Sequence, residues 1–172
     1  MKEFSLDHPA EQARDLRNAF GRFATGVAIV TTRGADGRAE GLTCNSFSAI
    51  SLDPPLVLWS LRRQAASLET FRQAGHFAIS VLHSNQEDVA RHFAQPQADK
   101  FATQPTFDGL GGCPIIDPAL ASFECACTMQ QEAGDHILFF GLVRRARYGE
   151  GAPLIFSAGA FARLASDLLD VS

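Results

Sequence analysis

The sequence predicts a mainly β protein with helices, built as a closed antiparallel barrel. About six or seven short segments rich in β-branched and aromatic residues are joined by turn or hairpin chemistry. Helical periodicity is confined to the N-terminal stretch and the crossovers. The 172 residues suit one core. No repeat, low-complexity tract or linker divides them, so a single domain over 1–172 is expected.

Each element has a local cause. In residues 9–24, Ala13, Leu16, Ala19, Phe20, Phe23 and Ala24 recur at three-to-four spacing, which predicts a helix with an apolar stripe. Pro9 fits its first turn, and Gly26 ends the pattern. Residues 27–32 (VAIVTT) read as a strand, 34–37 as a turn and 38–43 as the returning strand of a hairpin. The stretch 41–61 opens small and polar, crosses Pro54 and Pro55, and ends in the apolar strand 56–61. A helix is predicted over 64–74 and a strand over 77–82. Ser84 and Glu87 have capping-box spacing for a helix reaching about Phe93. Residues 95–112 are irregular and read as a loop. Residues 119–130 and 136–147 form a long antiparallel pair, with Phe123, Cys125, Cys127 and Met129 alternating against Ser122, Glu124 and Thr128. A short strand at 154–156 and a helix after Arg163 complete the chain.

Composition narrows the function. Fifteen Lys and Arg against nineteen Asp and Glu give a net charge of −4, so bulk electrostatics supply no reason to expect nucleic-acid binding. No apolar run reaches the ~20 residues of a membrane span, and residues 1–15 contain no apolar leader core. A cytoplasmic protein, free of membrane and nucleic acid, is expected. Fourteen Phe against one Trp and one Tyr suggest a core or subunit interface filled with rings that need no hydroxyl partner. Cys44, Cys113, Cys125 and Cys127 include no C-x-x-C, and reduced thiols are expected.

The familiar catalytic signatures are absent: no G-x-G-x-x-G, P-loop, H-E-x-x-H or G-x-S-x-G. His8, His76, His83, His92 and His136 form no close ligand pair, so no metal is expected. What remains is polar chemistry where strands open. Thr43, Asn45, Ser46 and Ser48 can hydrogen-bond a ligand's phosphate or ring edge, or form a plain polar strand edge. Arg62, Arg63 and Ser67 near a helix start form either an anion site or a solvated turn. His136 opens an apolar strand after Gly134 and Asp135, as a ligand contact or an inert strand-end histidine.

The stretch TCNSFSAISLDPPLVLWSL, preceded by FATGVAIVTT and followed by GDHILFFGLV and PLIF, resembles the flavin reductase-like family over about residues 16–164. The resemblance implies an FMN-binding split β-barrel, a homodimer with its flavin beside the subunit interface, and an NAD(P)H:flavin oxidoreductase of the EC 1.5.1 type. FMN or FAD would be reduced by NADH or NADPH and passed to a flavin-dependent monooxygenase component. It further implies that Thr43, Cys44, Asn45, Ser46, Phe47 and Ser48 line the flavin. Ser60, Leu61, Arg62 and Ser67 would hold its phosphate side, with Lys100 and Phe101 close by. His136 would position the nicotinamide or supply a proton. Cys44 stands where relatives often have Ala or Val, and Phe156 and Phe161 where they often have Tyr. Two other readings share the fold. One is a flavin- or haem-binding module without turnover. The other is a flavoenzyme using bound FMN on its own small substrate.

Overall fold

A computed structural model of the chain describes residues 1–7, 9–96 and 99–164. The chain runs α1 (Pro9–Phe20), β1 (Thr25–Gly26), β2 (Ala28–Arg33), β3 (Ala39–Cys44), β4 (Ser48–Leu52) and β5 (Pro55–Arg62). It continues with α2 (Leu68–Gln73), β6 (His76–Val81), α3 (Glu87–Ala94), β7 (Thr106–Asp108) and β8 (Pro114–Ile116). The long pair β9 (Ala121–Ala133) and β10 (His136–Tyr148) and the short β11 (Ile155–Ser157) and β12 (Ala160–Ala162) follow. Among the described residues no helix is long and apolar enough to cross a membrane.

Seven strands form one antiparallel sheet in the order β3-β2-β6-β9-β10-β5-β4. Its two outermost strands, β3 and β4, are consecutive in the chain. The four-residue step from Cys44 to Ser48 can span no more than ~14 Å, so the sheet must curl until its edges meet. No ladder joins them. The result is a barrel with a seam, and the seam lies in the polar stretch 43–48.

The barrel interior is aromatic. Trp59 stacks on Phe139 with ring centroids 4.6 Å apart, and the Phe71 and Phe77 rings meet Trp59 edge-on. Val30, Val57, Leu61 and Ile79 complete this core. β2 and β6 are buried on both faces. Outside the barrel, Ile29 packs with Leu82, Phe93 and Leu154 beneath α3 and the C-terminal strands. Ala78 lies beneath Cys113 and Ile115 of a lobe built on β7 and β8.

Several expectations are corrected. The α1 stripe exists but is uncovered: Phe20 is 70% and Phe23 80% exposed, and the helix stops at Phe20. The Ser84 capping box does not form. Gln86 instead accepts the His83 N–H at 2.8 Å and donates to the Pro118 carbonyl. The 95–112 loop contains β7 and a 3-10 turn at Leu110–Gly112, and β8 and β12 also went unread. Glu124, which alternates with Phe123 and Cys125 along β9, is buried under the lobe. It accepts the Leu110 N–H at 2.7 Å and pairs with Arg145 at 3.2 Å. The helix expected after Arg163 lies outside the described residues from position 165 onward.

Candidate functional site

A cleft of about 980 Å³ opens along the seam. The end of β3 supplies Leu42, Thr43 and Cys44, followed by Asn45 and Ser46. The end of β5 supplies Ser60, Leu61 and Arg62, with His136 beside them at the start of β10. Residues 64–67 form one rim, and residues 93–96 with Lys100 form the other.

Ser46 holds the seam shut. Its Oγ accepts the Ser60 N–H at 3.0 Å and faces the Ser60 carbonyl at 3.3 Å. These groups lie where β5 runs past the end of β4 pairing at Leu58. A hydroxyl there satisfies the strand edge that the missing ladder leaves open.

The rim at 64–67 differs from the predicted helix. α2 begins only at Leu68 and is six residues long. Residues 62–68 form a turn in which Ala65 N–H bonds Arg62 O and Leu68 N–H bonds Ala65 O. The N–H groups of Gln64, Ala66 and Ser67 find no acceptor among the described residues, and Ser67 makes no side-chain cap. Successive free N–H groups in a turn form an anion-binding concavity. The two arginines divide. Arg63 pairs with Glu132 at 3.3 Å on the surface, whereas Arg62 lines the cleft.

His136 stands opposite Arg62 in the β5–β10 register. Its Nδ1 lies 2.8 Å from the Asp135 carboxylate, which leaves Nε2 for the cleft. The His136 hydrogen bond and charge hold the Asp135 carboxyl below its ordinary value. Asp135 is in turn pinned by its carbonyl, which accepts the Arg63 N–H at 2.9 Å. Arg38 and Lys100 add positive charge at the other end, against the carboxylate of Glu40. Among the described residues a net-acidic chain thus lines this cleft with Arg38, Arg62 and Lys100 against one carboxylate, which suits an anionic ligand.

The predicted site residues sort clearly. Thr43, Cys44, Asn45, Ser46, Ser60, Leu61, Arg62, Ser67, Lys100 and His136 line the cleft. Phe47, Ser48 and Phe101 do not. Phe47 turns into the barrel, with its ring 5.4 Å from Phe123. Ser48 begins β4 opposite Leu58 and is exposed. Phe101 packs edge-on against Phe93 at 5.2 Å, behind the wall. Besides Ser46 and His136, two more lining groups are committed: Thr43 Oγ1 donates to Ala90 O at 2.6 Å, and Lys100 Nζ bonds two carbonyls. Partial burial lowers the Lys100 ammonium from its usual value, and Glu40 opposes that. Burial pushes the Cys44 thiol up. The sequence reading missed Arg38, Glu40 and Leu42, although they share strand parity with Cys44.

The flavin reductase like domain family matches residues 20–165. This chain belongs to that family. It is 42% identical over 159 residues to an FMN reductase (NADH) of Agrobacterium fabrum, covering 89% of this chain and 87% of that one. It is 39% identical over 158 residues to the reductase component of a flavin-dependent trigonelline monooxygenase of Acinetobacter baylyi, covering 92% of this chain and 51% of the relative. The chain therefore spans about half the length of some of the curated relatives it matches. The solved structure of an NADH:FAD oxidoreductase of Streptomyces globisporus, in complex with NAD and FAD fragments, superposes with a TM-score of 0.88 at 37% identity. That match covers 97% of this chain and 99% of the other. The fold is the split barrel of these reductases.

Proposed function

We propose that this chain is an NAD(P)H:flavin oxidoreductase that reduces FMN or FAD and supplies reduced flavin to a flavin-dependent monooxygenase component. The observation that carries the reading is the cationic seam cleft with His136 at its edge. Family membership fits it, and hydride transfer between two cofactors asks the cleft chiefly to bind and orient them.

The residues present fit a flavin. The free N–H groups of Gln64, Ala66 and Ser67 and the Arg62 guanidinium would hold its phosphate. Asn45 and the backbone of residues 43–46 would meet the ring edge. Buried Cys44 and half-buried Leu42 would exclude water beneath it. His136, with Nδ1 tied to Asp135, would present Nε2 to the nicotinamide and hold or release a proton there.

A homodimer is part of this proposal. On the outward side of β5 and β10, Leu58 faces Phe140 across the ladder, and Phe140 faces the half-exposed Met129 of β9. Ile50 is 48% exposed on the adjoining β4. Apolar side chains exposed along neighbouring strands suit an interaction surface, and a second copy would cover them. A monomer by light scattering would overturn that part. Four free thiols fit a reducing compartment such as the cytoplasm.

The test is NADH and NADPH oxidation by the purified protein, alone and with added FMN or FAD. Strong stimulation by free flavin is expected. No oxidation under any combination would overturn the proposal.

A further inference from the structure

Lys100 is tied down in a way that bears on which ligands the cleft accepts. Its Nζ donates to the carbonyls of Gly41 on β3 and Phe93 in the last turn of α3, both at 2.9 Å. The surroundings are tight. A Cβ on Gly41 would come within 2.8 Å of the Phe93 ring and 2.9 Å of the Phe101 ring. A His92 ring nitrogen lies 2.8 Å from the Lys100 carbonyl. Lys100 and the end of α3 together form the far wall of the cleft.

That wall would otherwise be negative. The last carbonyls of a helix carry a partial charge of roughly −0.5 in total, and the carboxylate of Glu40 lines the same cleft. The His92 carbonyl takes the Gln95 N–H, and the Phe93 carbonyl takes the ammonium. An ammonium has three N–H groups. Two are on carbonyls, and the third has no partner among the described residues.

We propose that Lys100 is a positioning and specificity residue: by holding the α3 terminus against β3 and cancelling its negative end, it lets the cleft favour phosphate-bearing flavins over uncharged ones. The inference rests on the reading of the cleft as a flavin site. It also corrects the simpler expectation of a lysine free to grip the cofactor, because most of its hydrogen-bonding capacity is directed at the protein.

The test compares equilibrium binding of FMN, FAD and riboflavin, which lacks the phosphate, by quenching of flavin fluorescence at low and high salt. Lys100→Met should weaken FMN and FAD about ten-fold and riboflavin less than about two-fold, and the difference should shrink in high salt. Lys100→Arg should restore the preference. Glu40→Gln leaves the tie intact and should tighten FMN about two- to three-fold with riboflavin unchanged. If the methionine variant fails to fold, Lys100→Gln, which keeps an N–H for one of the two carbonyls and removes the charge, decides the matter by the same comparison of the three flavins. Equal losses for all three flavins in Lys100→Met, or an FMN-to-riboflavin ratio that neither variant changes, would overturn the inference alone. A wild type that binds none of the three would overturn the flavin reading and this inference with it.

Discussion

Ser46 and Ser60 join the barrel at its seam, where no backbone ladder links β3 to β4. The Ser46 hydroxyl takes the Ser60 N–H at 3.0 Å and faces its carbonyl at 3.3 Å. A side chain thus does at the seam what a strand does elsewhere, and the cleft forms around it. Ser46→Ala should cost about 1–2 kcal/mol, since half-buried backbone groups lose their partner. Urea denaturation should read this as a lower midpoint with an unchanged slope. Flavin affinity should fall with it. An unchanged midpoint would show that the seam is held by packing alone.

His136 depends on its neighbour for orientation. Asp135 Oδ1 lies 2.8 Å from Nδ1, so the neutral ring should carry its proton on Nδ1. The Asp135 carboxyl is held below its ordinary value by that bond and by the His136 charge. The sign follows: the pairing is complete above the unfolded carboxyl value of about 3.9 and is lost as pH falls through the lower folded value. Nitrogen NMR should report the Nδ1–H tautomer at neutral pH, and Asp135→Asn should mix the tautomers. His136→Ala should lower NADH turnover about ten-fold or more while leaving flavin binding near wild type. Full turnover in that variant would remove the histidine from the reaction.

Gly141 on β10 is required by packing. A Cβ there would sit 2.4 Å from Phe77 Cζ and 2.9 Å from Cys125 Cβ, inside the barrel. Interiors are close-packed, so neither neighbour has room to retreat. Gly141→Ala should cost about 1–3 kcal/mol. Thermal unfolding checks this, and a wild-type midpoint would mean that the Phe77 ring can move.

How far the sequence could be read depended on how local the cause was. The β9–β10 pair was legible to within a few residues because thirteen-residue strands alternate long enough to be seen. β7 and β8, at three residues each, carry no period. They are fixed by distant partners such as Arg33, which bonds the Gly112 carbonyl at 2.6 Å and Asp108 at 2.8 Å. The burial of Glu124 was not legible because alternation cannot reveal a lobe that covers the outer face of a strand. In the cleft, the polar run at 43–46 was visible as side chains. The role of Lys100 was not, because its partners are backbone carbonyls. Phe47 and Phe101 were near in sequence to lining residues but turn away from the cleft by ring packing, Phe47 against Phe123 and Phe101 against Phe93. The exposure of Phe20 and Phe23 was not legible because periodicity marks an apolar stripe without saying whether anything packs on it.

The thiols give a prediction independent of cofactor chemistry. Cys44, Cys113 and Cys125 are buried, and Cys127 is half-buried. Burial raises all four, and Cys125 is pushed up to about 12. Thiolates are the reactive form. At pH 8 a group with that value is ionised in only about one molecule in 10⁴. Native protein should therefore react slowly with a thiol reagent, Cys127 first, and all four should react once it is unfolded. The same shift sets the alkaline limit. The proton on Cys125 contributes stability fully below the unfolded thiol value of about 8.5. That contribution is lost as pH rises toward 12. Cys125→Ala should therefore lessen the loss of stability between about pH 9 and 11, even if the smaller side chain lowers stability at neutral pH. Parallel alkaline denaturation curves for wild type and variant would place the limit elsewhere. Fast labelling of Cys113 or Cys125 in the native state, located by peptide mapping, would show that their side of the barrel opens.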